Sequence, residues 1–219
     1  MRIQLFVMLI GAMFIRHAGA ASSAAVIDPI SIAVRVYDGA GIGSVHRAAA
    51  IAVADTILSA AFIDVEWRTC DVDARRAAGP CAVPLGKREF ALRLIGGMAA
   101  PDANGQLALG YSLIDTRTRA GSLATIHPDR VAWLADAAGF DVRTLLGRAI
   151  AHEIGHLLLG SNDHRGTGIM RAVWSREALQ RNAREDWVFS ERDAADMQTA
   201  LRARTVPPQV AASIVWSTR

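Results

Sequence analysis

Two histidines and a glutamate in the second half of this 219-residue chain form the pattern H-E-x-x-H, as His152, Glu153 and His156. Residues four apart in an α-helix differ by about 40° around the axis and rise about 6 Å, so both imidazoles point the same way. Two such nitrogens can bind one zinc ion, which lowers the pKa of a bound water to about 7. Glu153, one helical step aside, can take the proton of that water. The pattern therefore predicts Zn²⁺ bound by the two histidines, with Glu153 as the general base.

A catalytic zinc site needs a third protein ligand and keeps its fourth position open. His164 is the first candidate, because Gly160 is expected to end the helix and let the chain turn back. The adjacent Asp163 is a second candidate. Glu177 and Glu185, on later segments, are carboxylates that would complete a site of two histidines and one glutamate. The sequence leaves these alternatives open.

The sequence predicts where the helix that holds this pattern begins and ends. Asp141 is a good N-cap residue, since its carboxylate can accept hydrogen bonds from the free amides of the first turn. Apolar residues then recur with helical spacing from Val142 up to Gly160. They are Leu145, Leu146, Ala149, Ile150, Ile154, Leu157 and Leu158. A long helix that ends at Gly160 is therefore predicted.

The remaining patterns predict an α+β fold. The predicted strands are Ser31–Tyr37, Val65–Cys70, Phe90–Ile95, Leu107–Asp115 and Leu123–His127. The other predicted helices are Ser44–Phe62, Asp129–Ala138, Ser175–Arg181 and Glu191–Arg202. This order predicts a mixed, twisted, five-stranded sheet backed by two long helices, with a small and mostly helical C-terminal part. His46 and His127 have no partner pattern, and we interpret them as structural or exposed.

The first 20 residues have the plan of a secretory signal peptide: Arg2, an apolar run from Leu5 to Ile15, and the small residues of Ala18–Ala20. We expect residues 1–20 to be removed, which makes the protein periplasmic or extracellular. Residues 21–205 would then form the catalytic domain and residues 206–219 a C-terminal tail. No later segment is apolar enough to span a membrane, so we expect no span after cleavage.

Charge and cysteine usage fit an exported enzyme. Loss of Arg2 and Arg16 leaves 22 basic residues, two fewer than the full chain's 24, against 21 acidic ones. That balance lacks the basic footprint of a nucleic-acid binder. Cys70 and Cys81 are the chain's two cysteines. In an oxidising compartment, they are expected to form a disulfide.

The run HEIGHLLLGSNDH, followed by Gly168-Ile169-Met170, resembles the signature of the metzincin clan of zinc metalloproteases, H-E-x-x-H-x-x-G-x-x-H with a later Met-turn. The predicted order of strands and helices also resembles the clan's N-terminal subdomain, so the resemblance covers about residues 30–172. The spacing of the glycine and the third histidine in this run differs from that of the clan signature. Three residues stand on each side of Gly160, where the clan has two.

This resemblance implies a zinc metallopeptidase, and the predicted signal peptide implies that it is secreted or periplasmic. The resemblance also implies that His152, His156 and His164 are the zinc ligands, that Glu153 is the general base, and that Met170 lies beneath the site. In the clan, the fourth strand is the sheet edge that pairs with an extended substrate. The segment Leu107–Asp115 would take that role for a peptide or protein substrate.

Two further hypotheses remain open from the sequence. One is a gluzincin-like peptidase, in which Glu177 or Glu185 is the third zinc ligand. The other is a non-catalytic, exported zinc-binding module, for which a fourth protein ligand would close the metal site. We also expect Tyr111, the loop of residues 161–175 and Trp174 to border the cleft.

Overall fold

The computed structural model describes residues 28–97 and 107–204 and confirms the predicted α+β fold. Five strands form one mixed sheet in the order β2-β1-β3-β5-β4, in which β4 runs antiparallel to β5 and the other pairs are parallel. The strands are β1 (Ile30–Asp38), β2 (Ile63–Cys70), β3 (Glu89–Leu94), β4 (Gly110–Asp115) and β5 (Ala120–Ile126). The predicted signal peptide and C-terminal tail lie outside the described residues.

Two long helices cover one face of the sheet, as predicted: α1 (Ser44–Ser59) and α3 (Val142–Leu159). Alternate residues of a strand point to opposite faces, so one set from each strand enters the core beneath these helices. The set contributed by β1 and β3 is Ile30, Ile32, Val34, Val36, Phe90, Leu92 and Leu94. The helices approach each other closely at Gly147, where a Cβ atom would lie 2.4 Å from the carbonyl oxygen of Ala50.

The ends of α3 follow the sequence prediction. Asp141 caps its N-terminus by accepting a hydrogen bond of 2.8 Å from the Thr144 N–H. Gly160 ends the helix in the left-handed conformation, with φ of +61°, and its N–H donates to the carbonyl oxygen of His156. A Cβ atom at Gly160 would lie 2.1 Å from the Arg119 carbonyl oxygen, so this position admits only glycine.

Three predicted boundaries are wrong by three residues each, and β2 begins at Ile63, two residues before the predicted Val65. α1 ends at Ser59, because Phe62, with φ of +59°, already belongs to the reversal into β2. The fourth strand begins at Gly110 and not at Leu107. The fifth strand begins at Ala120 and not at Leu123. Gly121, a residue type that is typical of turns, therefore lies inside a strand. A Cβ at Gly121 would lie 2.5 Å from the Leu113 carbonyl oxygen. The glycine therefore lets β4 and β5 approach each other closely, next to the shift in their register after Leu113.

The remaining helices are α2 (Pro128–Ala138), α4 (Arg176–Arg181) and α5 (Glu191–Ala203). α4 and α5 form the mostly helical C-terminal part together with the loops that follow α3. Met197 and Leu201 of α5 are buried in the common core. Within residues 28–97 and 107–204, no helix combines the length and the apolar character needed to cross a membrane.

The predicted disulfide between Cys70 and Cys81 is confirmed. It fixes a loop that lies on the sheet face opposite the two long helices. Arg35 of β1 is buried there and donates hydrogen bonds to the carbonyl oxygens of Val83 (2.6 Å) and Pro84 (3.2 Å). The loop is therefore tied to the sheet both covalently and by this arginine.

Candidate metal centre

Main-chain carbonyl oxygens orient the two histidines of α3. The Nδ1 atom of His152 lies 2.8 Å from the carbonyl oxygen of Ile169, and the Nδ1 atom of His156 lies 2.8 Å from that of Ser161. A carbonyl oxygen can only accept, so each Nδ1 carries the ring hydrogen. Each neutral ring therefore presents a lone pair at Nε2.

The two Nε2 atoms lie 3.0 Å apart. Neither carries a hydrogen in the neutral rings, so this short distance is not a hydrogen bond; two lone pairs face the same point. A cation at that point would bind both. Nitrogen ligands of a tetrahedral zinc ion lie about 3.3 Å from one another, which is close to the observed separation.

Burial keeps these imidazoles neutral. Burial and the neighbouring His156 together lower the pKa of His152 to about 3. Burial also lowers the pKa of His156 and that of His164. Neutral imidazoles are the form that binds metal ions.

His164 joins this pair from the loop after α3. Its ring centroid lies 5.3 Å from that of His152 and 4.9 Å from that of His156. One ligand atom from each of the three histidines lies within 4.8 Å of the others. His164 is exposed, whereas the other two are buried, so the group is open on one side.

The segment around His164 is held on both sides. Before it, Ser161 donates from Oγ to Asp163 (2.7 Å) and accepts the Asp163 N–H (3.0 Å). After it, the Arg165 N–H donates to the Met170 carbonyl oxygen, and the Arg165 guanidinium pairs with buried Asp193 at 2.9 Å. The loop thus accommodates the wide spacing on either side of Gly160 and still returns His164 to the pair.

The other candidates for a third ligand lie elsewhere. Asp163, Glu177 and Glu185 are exposed and do not belong to the histidine group. In the part of the chain that the structure describes, these three histidines are the one group of three or more metal-binding side chains, without a fourth member. His46 is exposed, and His127 is half-buried beside the Ile95 carbonyl oxygen, in line with their interpretation as structural or exposed.

Glu153 is buried on the neighbouring position of α3, and it contacts β4. Its Oε2 atom lies 2.7 Å from Oγ of Ser112. At Gly110, a Cβ atom would lie 3.1 Å from Cγ of Glu153, so the glycine leaves room for this side chain. Burial raises the pKa of Glu153 to about 7, while the hydrogen bond from Ser112 opposes that rise.

Two buried side chains support α3 from below. A Cβ atom at Gly155 would lie 2.6 Å from Cε1 of Phe189 and 2.8 Å from Sδ of Met170. Met170 therefore lies directly under the turn that separates His152 from His156, and it follows the residue whose carbonyl oxygen orients His152. This is the position expected for it.

A cleft of about 380 Å³ opens beside the histidines and Glu153. Its walls are largely apolar and come from three segments: the approach to β4, α2, and the loop after Met170. They include Leu107, Leu109, Trp133, Leu134, Val173 and Trp174. Trp174 also packs edge-to-face against His152, with ring centroids 5.5 Å apart.

The expectation that Tyr111 borders the cleft is wrong. Gly110 and Ser112 point toward α3, so Tyr111 between them points to the opposite face of the sheet. Its hydroxyl there lies 3.5 Å from the Arg93 guanidinium. Ser112 and Phe189 were not predicted to contact α3, because nothing in their local patterns marks them as its partners.

The solved structures that resemble this chain include the following three. Archaemetzincin from Methanopyrus kandleri has a TM-score of 0.52 at 14% identity and covers 78% of this chain and 96% of its own. Metalloproteinase-II from Bacteroides fragilis has a TM-score of 0.47 at 16% identity, covering 78% and 53%. A zinc-dependent peptidase from Methanocorpusculum labreanum has a TM-score of 0.47 at 13% identity, covering 75% and 99%. The archaemetzincin likeness shows a shared fold. No protein-family model and no curated protein sequence matches the chain.

Proposed function

We propose that this protein is a zinc-dependent metallopeptidase, in which His152, His156 and His164 bind Zn²⁺ and Glu153 is the general base. The observation that carries the proposal is the pair of anchored imidazoles, whose hydrogen-free Nε2 atoms lie 3.0 Å apart with a third histidine beside them. Three protein ligands leave a fourth position for solvent, as a catalytic zinc site requires. The fold shared with an archaemetzincin supports the proposal.

Zinc, when bound, supplies a Lewis acid that makes an attacking water acidic at neutral pH. Glu153 would accept a proton from the attacking water and would later return it to the leaving nitrogen of the peptide bond. His152 and His156 stay fixed during these steps, because carbonyl oxygens hold their Nδ1 atoms.

The substrate proposed for this site is a peptide or protein segment in extended conformation. β4 is an edge strand, so one side of its backbone can pair with an added strand. The cleft begins where β4 begins, and its apolar walls provide a place for substrate side chains next to Glu153.

We also propose that the protein acts outside the cytoplasm after removal of residues 1–20. The basic and apolar pattern of these residues and the Cys70–Cys81 disulfide support this proposal. The intact mass and N-terminal sequence of protein recovered from the periplasm or medium will test it. A chain that keeps Met1 and stays in the cytoplasm would contradict it.

Substitution of the general base tests the catalytic proposal. Glu153→Gln keeps the shape of the side chain but removes the proton acceptor, so zinc binding should persist while hydrolysis falls about 100-fold or more. Mass spectrometry of a mixed peptide library, incubated with zinc-loaded wild type and variant, measures cleavage directly. Asp163→Asn is the matched control, an exposed acid near the site, and it should cleave like wild type. Equal cleavage by Glu153→Gln and wild type would contradict the mechanism.

A further inference from the structure

We propose that Ser112 is a positioning residue for Glu153, which means that its hydroxyl holds the carboxyl group in the orientation required of the general base. This inference rests on the function proposed above. It assigns a role in the reaction to a strand residue that lies far from the H-E-x-x-H pattern in the sequence.

The contact is close and buried. Oγ of Ser112 lies 2.7 Å from Oε2 of Glu153, and both side chains are less than a tenth exposed. Gly110, two residues earlier on the same face of β4, leaves the space in which Cγ of Glu153 lies. β4 therefore accommodates the glutamate at two positions. Gly110 leaves space for its Cγ atom, and Ser112 forms a hydrogen bond with its carboxyl group.

Within the part of the chain that the structure describes, one carboxylate oxygen of Glu153 is available to a water in the cleft. Among the described residues, Ser112 is the partner of Oε2, and no donor reaches Oε1 of Glu153. Glu153 lines the cleft. Oε1 is thus the oxygen that a water in the cleft can approach, while the serine hydroxyl binds Oε2.

The serine hydroxyl also has a second acceptor. Its Oγ lies 2.8 Å from the main-chain carbonyl oxygen of Glu153. A hydroxyl has one hydrogen but two lone pairs. It can donate to the carboxylate, or it can turn its hydrogen to the carbonyl and accept from the carboxylic acid. Ser112 can therefore hold Glu153 in place whether or not the carboxyl carries a proton.

Steady-state kinetics of zinc-loaded full-length protein test this role. Ser112→Ala should keep a full complement of zinc and an unchanged KM, while kcat falls about 10- to 100-fold, the range typical of outer-shell partners. Ser112→Thr restores the hydroxyl and should recover most of kcat. Ser122→Ala is the matched control, because it removes a buried hydroxyl from the neighbouring strand β5, and it should behave as wild type.

The outcomes separate this inference from the proposed function. A Ser112→Ala protein with wild-type kcat would overturn the positioning role and leave the peptidase proposal intact. Loss of zinc together with activity would also overturn it, since the serine would then support the metal site and not the base. If Ser112→Ala fails to fold, Ser112→Cys keeps the volume with a weaker donor, and wild-type kcat in that variant would overturn the role. A zinc-loaded wild type without activity overturns both.

Discussion

His152 and His156 owe their orientation to main-chain atoms and not to side chains. The carbonyl oxygens of Ile169 and Ser161 fix the hydrogen of each ring on Nδ1, and so leave Nε2 free on both. A carbonyl cannot be protonated near neutral pH, so this arrangement does not depend on the ionisation of a neighbouring carboxylate. Burial lowers the pKa values of both rings, which removes competition from protons for the metal site.

At the residue scale, the third ligand is the position that the sequence left open. Loss of an outer-shell partner of a metal ligand lowers metal affinity by about 10- to 100-fold. His164→Ala should lower zinc affinity by more than this, because it removes a proposed direct ligand. Asp163→Asn and Glu177→Gln should bind zinc like wild type, since both side chains are exposed and outside the histidine group. Competition with a chelator of known affinity measures these differences. Wild-type affinity in His164→Ala would instead favour a carboxylate ligand.

At the element scale, α3 was predictable because each of its signals is local. Asp141 caps it, apolar residues keep its period, and Gly160 ends it. The start of β5 was missed because Gly121, an apparent turn residue, is required by a close contact with Leu113 across the sheet. Contacts between elements leave no local pattern.

The site likewise combines residues placed by a local pattern with residues placed by contacts between elements. The pattern of α3 predicts where His152, Glu153 and His156 lie relative to one another, and their spacing needs only helical geometry. The contact of Ser112 with Glu153 joins residues 41 positions apart, and it depends on how β4 lies against α3. Phe189 reaches Gly155 from beyond α4 for the same reason.

The cap of α3 should contribute to stability in a pH-dependent way. Hydrogen bonds from Arg143 and Thr144 lower the pKa of Asp141 from 3.8 to about 2. The ionised carboxyl therefore stabilises the fold above about pH 4, and this contribution is lost as the pH falls toward 2. Asp141→Ala should cost about 1 kcal/mol of unfolding free energy at pH 7.

Asp141→Asn keeps a capping oxygen without the charge and is the control for that prediction. Its unfolding free energy should lie between those of wild type and Asp141→Ala at pH 7, and its difference from wild type should shrink as the pH falls from 5 to 3. Denaturant unfolding at several pH values measures both. A difference that stays constant over this range would show that the charge does not stabilise the helix.

At the scale of the whole molecule, the site forms where several parts of the fold meet. The sheet contributes Ser112 at its edge, α3 contributes the two buried histidines and Glu153, and the loop after α3 contributes His164. Asp193 at the start of α5 pairs with Arg165 next to that histidine. The small C-terminal part thus holds the segment of His164, and the sheet holds the Glu153 side chain.

The disulfide lies apart from this assembly, on the face of the sheet opposite the long helices. Replacing both Cys70 and Cys81 by alanine should lower the unfolding free energy by about 2–4 kcal/mol, mainly by releasing a short loop in the unfolded chain. Zinc content and the hydrolytic rate at 25 °C should stay as in wild type. Denaturant unfolding and metal analysis of the double variant check both parts. Loss of zinc from the folded variant would show that the loop supports the metal site.

The proposed function depends most on zinc held by three imidazoles with room for solvent. X-ray absorption at the zinc edge, measured on purified wild type loaded with one equivalent of Zn²⁺, tests this directly. We expect three histidine nitrogens and an oxygen from solvent, at about 2.0–2.1 Å. Absence of bound zinc, fewer than three imidazoles around it, or a shell closed by a fourth protein ligand would contradict the account.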